Sequence, residues 1–187
     1  MAPDETPAFG SDAWRRTCAH QPYYCEENVW RLFVDERLPE PGAALFVTNA
    51  ARQVAMWGQR AAHQDPILWD YHVVALLPGR KVVVDLDDRE RAVWPVRDWL
   101  RHAFRPWVEP ELQPRFRVVP QAVLLATFST DRSHMRGDDG TPTRPAPPWP
   151  APFQPALGMT LPRLLDLGDA SAGVVTDAGG LLALVAS

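Results

Sequence analysis

The 187-residue chain is 46% hydrophobic and 22% charged, with a net charge of −4. That balance fits one globular domain rather than a disordered segment, and a chain this long buries roughly 70% of its unfolded surface without a disulfide or zinc staple. Eighteen of the 19 basic residues are arginine, with Lys81 the exception, and no basic stripe emerges, which argues against nucleic acid or an anionic membrane as partner.

Residues 1–22 are rich in Pro, Gly, Asp and Ser and read as a loose lead-in without the apolar core of a signal peptide. From Glu26 to Leu38, the apolar residues Trp30, Phe33, Val34 and Leu38 recur with helical spacing, and Pro39-Glu40-Pro41-Gly42 ends the stripe. Cys25 therefore falls at a helix N-terminus. Strand-like runs follow at Ala44–Thr48, Ile67–Leu77 and Lys81–Leu86, with Pro78-Gly79 reversing the chain between the last two. A short helix over Arg97–Phe104 and a strand over Phe116–Val119 come next. Ala122–Phe128 is too short for periodicity to decide between strand and helix. Prolines crowd 142–155 into an extended strap. A helix over Leu161–Leu167, capped by Thr160, and a Gly-broken apolar tail complete the chain. A helix followed by antiparallel strands is an α+β pattern, one catalytic domain over residues 23–187. No apolar run approaches the roughly 20 residues of a membrane span. Cys18 and Cys25 make no disulfide framework, and a monomer with free thiols in a reducing cytoplasm is expected.

Three residues suit the parts of a nucleophilic mechanism. Cys25 at the start of a helix feels the positive end of the helix dipole, which lowers a thiol pKa from about 8.5, while Glu26 and Glu27 oppose that effect. His72 and Asp85 lie on the two strands joined at Pro78-Gly79. A two-residue turn pairing Leu77 with Arg80 would set His72 opposite Asp85 on one sheet face, whereas a one-residue slip would separate them. Plainer roles exist for each: a buried apolar thiol, a hydrogen-bonded strand histidine, a strand-ending aspartate. Cys18, His20 and Cys25 with His63, His102 or His134 could offer metal ligands, but their spacing matches no compact zinc signature, so neither metal nor cofactor is expected.

Tyr23-Tyr24-Cys25-Glu26-Glu27-Asn28, Trp69-Asp70-Tyr71-His72-Val73-Val74, Val84-Asp85-Leu86-Asp87 and Asp131-Arg132-Ser133-His134-Met135, in that order and spacing, resemble the protein N-terminal glutamine amidohydrolase family. Arg115–Val118 and the later prolines add to the likeness, while little aligns after about Gly168. The resemblance implies a papain- or transglutaminase-like α-β-α sandwich with a mainly antiparallel sheet. It also implies a Cys25–His72–Asp85 triad and deamidation of an N-terminal glutamine to glutamate through a thioester, a step that in eukaryotes feeds an N-degron route. The partners implied are proteins or peptides with a free N-terminal Gln.

Selection of a free N-terminus calls for a carboxylate to meet the α-ammonium. Glu26, Glu27, Asp70 and Asp87 are close to the motifs, and Glu27 is preferred because Asp70, two residues from His72 in a strand, could instead support the imidazole. Trp69, Tyr24 and Tyr71 are candidates for the pocket wall. In the Asp131–Met135 segment, an Asp131–Arg132 ion pair fixing a turn against the catalytic helix is favoured over substrate contacts by Arg132 or His134. Two alternatives to deamidation remain: acyl transfer of the transglutaminase or arylamine acetyltransferase type, and a non-catalytic peptide-binding module.

Overall fold

The apolar residues of the strands alternate between two cores, and this organises the molecule. In the computed structural model, which describes residues 6–186, strand β1 (Ala43–Thr48) and strand β4 (His72–Leu77) are buried along their whole length. Successive side chains of a strand point to opposite faces. Ala44, Phe46, Val73, Ala75 and Leu77 therefore enter one core, while Leu45, Val47, Val74 and Leu76 enter the other.

Six strands form one sheet in the order β6-β5-β4-β1-β7-β8, antiparallel at every pairing. The outer members are β5 (Val82–Val84), β6 (Val93–Pro95), β7 (Arg115–Pro120) and β8 (Val174–Thr176). Helices α1 (Asp12–Thr17), α2 (Cys25–Val34), α4 (Gln121–Thr127) and α5 (Leu161–Leu165) supply Trp14, Leu32, Leu124 and Leu164 to the first core. Helices α3 (Val96–Ala103) and α6 (Ala178–Ala186) supply Trp99 and Leu181 to the second. The sheet is thus covered by helices on both faces, the α+β class expected. Among the described residues no helix is long and apolar enough to cross a membrane.

Several local expectations need correction. The segment Ile67–Leu77 is not one strand: β3 (Ile67–Trp69) pairs instead with β2 (Val54–Met56) in a separate two-stranded sheet, and the chain breaks at Asp70-Tyr71 before β4. The reversal at Pro78-Gly79 is a four-residue loop ending at Lys81 with φ 56°, so Leu77 pairs with Val82 rather than Arg80. Proline cannot take the positive φ of a two-residue primed turn, and the loop lengthens instead. The ambiguous run 122–128 is helical. Thr160 does not cap α5 with its side chain; its hydroxyl accepts the Ser129 N–H at 2.8 Å.

The lead-in is not loose within the described residues; residues 1–5 lie outside them. Ser11 Oγ accepts the Trp14 N–H at 3.1 Å, capping α1. Trp14 is buried and its indole N–H donates to the Arg37 carbonyl at 3.2 Å. Arg15 reaches across to the carbonyls of Leu86 and Asp88, pinning α1 to the loop that follows β5.

Candidate active site

Helix α2 opens with Cys25 because Tyr24, with φ −119° and ψ 48°, breaks the helical path just before it. Helix α2 packs against β4, which brings Cys25 beside the backbone of Val73, the residue after His72. Cys25 is only 7% exposed. Among the described residues its side-chain hydrogen-bond partner is Glu26 Oε2 at 3.6 Å, not His72. Burial, then the charges of Glu26 and Asp87, push the Cys25 pKa well above its ordinary value. The dipole-lowered thiol expected from helix position alone is therefore corrected: desolvation and two carboxylates outweigh a helix terminus.

His72 and Asp85 meet directly, His72 Nε2 to Asp85 Oδ1 at 3.0 Å, both fully buried. The register differs by two residues from the one expected, and an even shift keeps side chains on the same face. Asp85 accepts further hydrogen bonds from Gln59 Nε2 at 3.0 Å, Trp99 Nε1 at 3.4 Å and the Asp87 N–H at 3.1 Å. Burial alone would raise its pKa, but the His72 charge and these donors together hold it below the ordinary carboxylate value. For His72, burial alone would lower the pKa, and the Asp85 charge and hydrogen bond override it, so the net shift is upward. Trp69 stacks on the imidazole, centroids 5.7 Å apart and planes 14° from parallel. The ring is thus screened on one face and anchored at Nε2.

A cavity of about 490 Å³ opens at Cys25 and is walled by Tyr23, Trp69, Asp70, Tyr71 and His134. Trp69, Asp70 and Tyr71 therefore share one cavity with Cys25. Tyr24 does not: it is buried, with the Arg132 guanidinium 5.8 Å above its ring, and its neighbour Tyr23 takes the wall position. His134 Nε2 lies 3.2 Å from the Tyr71 hydroxyl and 3.3 Å from Glu26 Oε1.

Glu27 is the clearest departure from expectation. Its carboxylate is fully buried and takes Arg132 Nε and Nη2, both at 2.7 Å, with the Trp149 indole N–H at 2.8 Å. Both oxygens are occupied, so it joins α2, the Arg132 turn and the proline-rich strap instead of facing a ligand. The expected Asp131–Arg132 ion pair does not form: Arg132 pairs with Glu27 of α2 instead, and Asp131 caps its own turn by accepting the Ser133 N–H at 2.9 Å. Asp87 is likewise engaged, by His20 Nε2 at 2.7 Å. His72, Asp85 and Asp87 approach one another within 4.8 Å, but each is hydrogen-bonded within the protein. Cys18 lies apart from this centre, its thiol 3.5 Å from the Trp14 carbonyl and its pKa raised to about 11, chiefly by burial. Gln59, Trp99 and Trp149 had no sequence signal, since each comes from a distant segment carrying no motif, and His20, considered in the sequence only as a metal ligand, instead engages Asp87.

Comparison with known proteins bears on the same residues. The sequence model of the N-terminal glutamine amidase family matches residues 20–184, beyond the Gly168 limit suggested by inspection of the motifs. A protein N-terminal glutamine amidohydrolase of Drosophila willistoni is 39% identical over 145 residues, 71% of each chain. The protein of the same name from Bos taurus is 33% identical over 147 residues, 73% of this chain and 71% of its own. With the match spanning nearly every element that builds the cavity, the chain belongs to the N-terminal glutamine amidase family.

Proposed function

We propose that the protein is a cysteine-dependent amidohydrolase converting the side chain of an N-terminal glutamine of peptides or proteins to glutamate, with release of ammonia. The observation that carries this reading is the buried His72–Asp85 pair at 3.0 Å on the strand against which α2 packs, with Cys25 at the start of that helix opening onto the cavity, in a chain of this family. A papain- or transglutaminase-like architecture belongs to the same reading.

An amide carbon is a weak electrophile, and passage through a thioester splits its hydrolysis into two easier steps. The Cys25 sulfur forms a bond to glutamine Cδ while its proton passes to His72 at Nδ1. That proton leaves with the departing amide nitrogen as ammonia when the C–N bond breaks. His72 then takes a proton from water, whose oxygen attacks the thioester, and returns it to the sulfur as glutamate forms. Asp85 fixes the ring tautomer and favours the imidazolium form. The Cys25 backbone N–H at the start of α2 is one donor for the oxyanion. The upward shift of the thiol pKa by burial favours this general-base route over attack by a preformed thiolate.

Asp70 is the carboxylate on the cavity wall, and we assign the substrate α-ammonium to it now that Glu27 and Asp87 are engaged elsewhere. A blocked terminus would leave this group without its counter-charge. The test is a panel of peptides beginning with Gln, Asn, pyroglutamate or acetyl-Gln, read by mass spectrometry and ammonia release. Conversion of the first residue alone in the free-amine Gln peptide supports the proposal; incorporation of an added amine would favour acyl transfer, and binding without turnover a peptide-binding module.

A further inference from the structure

The catalytic mechanism leaves two cations of the cavity wall unused. Arg52, on the turn after β1, and Arg144, on the proline-rich strap, both line the cavity that holds Cys25. Arg31, Arg80, Arg89, Arg132 and Arg163 pair with carboxylates. Among the described residues, neither Arg52 nor Arg144 has a carboxylate oxygen within 4.0 Å. Arg144 is held in place with its guanidinium 4.4 Å from the ring of Tyr23, itself on the wall. The acid that lines the same cavity is Asp70, which already accepts the Tyr71 N–H at 3.0 Å.

The shape of the surface indicates what those charges meet. A volume of about 490 Å³ falls in the range of sites for drug-sized ligands and exceeds the needs of one glutamine side chain. Residues after the glutamine therefore also lie against the wall. A second depression of about 320 Å³ adjoins the first, sharing Arg52 and Leu165 with it. A peptide leaving the cavity by this route passes Arg52. Asp166 is the acid that lines this second depression.

Resting on the N-terminal glutamine reading above, we propose that Arg52 and Arg144 form an anion-accepting subsite for the second and third substrate residues. The enzyme then favours peptides with an acidic side chain immediately downstream of the glutamine. Paired with a planar carboxylate, each guanidinium offers a two-pronged donor set. Its exposure to water keeps the gain modest, about threefold to fivefold per pair, and sensitive to salt.

The test uses C-terminally amidated peptides, which remove a competing carboxylate, beginning Gln-Asp, Gln-Gly-Asp, Gln-Gly-Gly and Gln-Lys. Binding of labelled peptides to a Cys25→Ala protein and kcat/KM of the unsubstituted enzyme are measured at roughly 0.02 M and 0.3 M salt. The acidic peptides should exceed the Lys peptide by about tenfold at low salt, with the ratio shrinking at high salt. In an Arg52→Gln/Arg144→Gln protein the ratio should fall toward one. Equal binding of Asp and Lys peptides would overturn the subsite even if all are deamidated. Preferential binding of acidic peptides that depends on both arginines, without turnover by the unsubstituted enzyme, would uphold the subsite while refuting the proposed reaction.

Discussion

Replacing Asp85 with asparagine tests the proposed catalytic geometry most directly. The substitution keeps the volume and leaves one amide oxygen able to accept from Gln59 and Trp99, which now donate to Oδ2 at 3.0 and 3.4 Å. The other side-chain position, which accepts from His72 Nε2 at 3.0 Å, becomes an NH₂ group. Two donors cannot face each other, so His72 must present a bare Nε2 and carry its proton on Nδ1, the edge proposed to take the thiol proton. The base is then in the wrong tautomer, and kcat should fall by about 10³–10⁴-fold, or roughly 4–5.5 kcal/mol of lost transition-state stabilisation. KM should change little. A second signature comes from pH. The Asp85 charge is what raises the His72 pKa against burial; without it, only the lowering effect of burial remains, and the acid limb of any residual activity should move to lower pH. In the unsubstituted enzyme that limb should lie above 6.5, the ordinary histidine value. Ammonia release from a Gln-initiated peptide between about pH 5 and 9, with thermal unfolding as a control for folding, measures both. A variant keeping kcat within tenfold, or an unmoved acid limb, would refute the role assigned to Asp85.

Cys25→Ser should leave the fold intact and abolish thioester formation; retained deamidation would remove the sulfur from the reaction. Arg132→Ala strands the fully buried Glu27 carboxylate with only the Trp149 N–H, so the fold should lose about 3–5 kcal/mol, a drop in Tm of about 6–20 °C by calorimetry. Adding Glu27→Gln should restore part of that loss, since a neutral amide costs less to bury. Arg15→Ala leaves the Leu86 and Asp88 carbonyls without their guanidinium donor, costing about 1–3 kcal/mol, with faster hydrogen exchange across residues 86–91 and a lower kcat as the Asp85 loop loosens. Because the folded Asp85 pKa is depressed, its stabilising contribution is complete above the ordinary 3.8 and lost as pH falls through the depressed value; acid denaturation of Asp85→Asn should be correspondingly shallower.

Helix α2 and the strand pair carrying His72 and Asp85 were legible in the sequence because their signals are local. The apolar stripe of α2 reports its period, and the two-residue period of a strand makes facing a matter of parity. The turn was misjudged by two residues, yet His72 and Asp85 still meet because an even slip preserves the face. The four separated motifs identified the family for a different reason: their order and spacing are specific together.

Tertiary structure alone decided which charges find partners. Glu26, Glu27, Asp70 and Asp87 are each an acid within a motif, and Glu27 is the one preferred from sequence. In the fold, Glu27 is claimed by Arg132 and Trp149 from segments more than 100 residues away, Asp87 by His20, and Asp70 alone of the four is left on the cavity wall. The thiol pKa followed the same logic. Helix position is written in the sequence, but desolvation and the field of neighbouring carboxylates depend on packing, and they act more strongly in a buried site than half a unit of charge at a helix end.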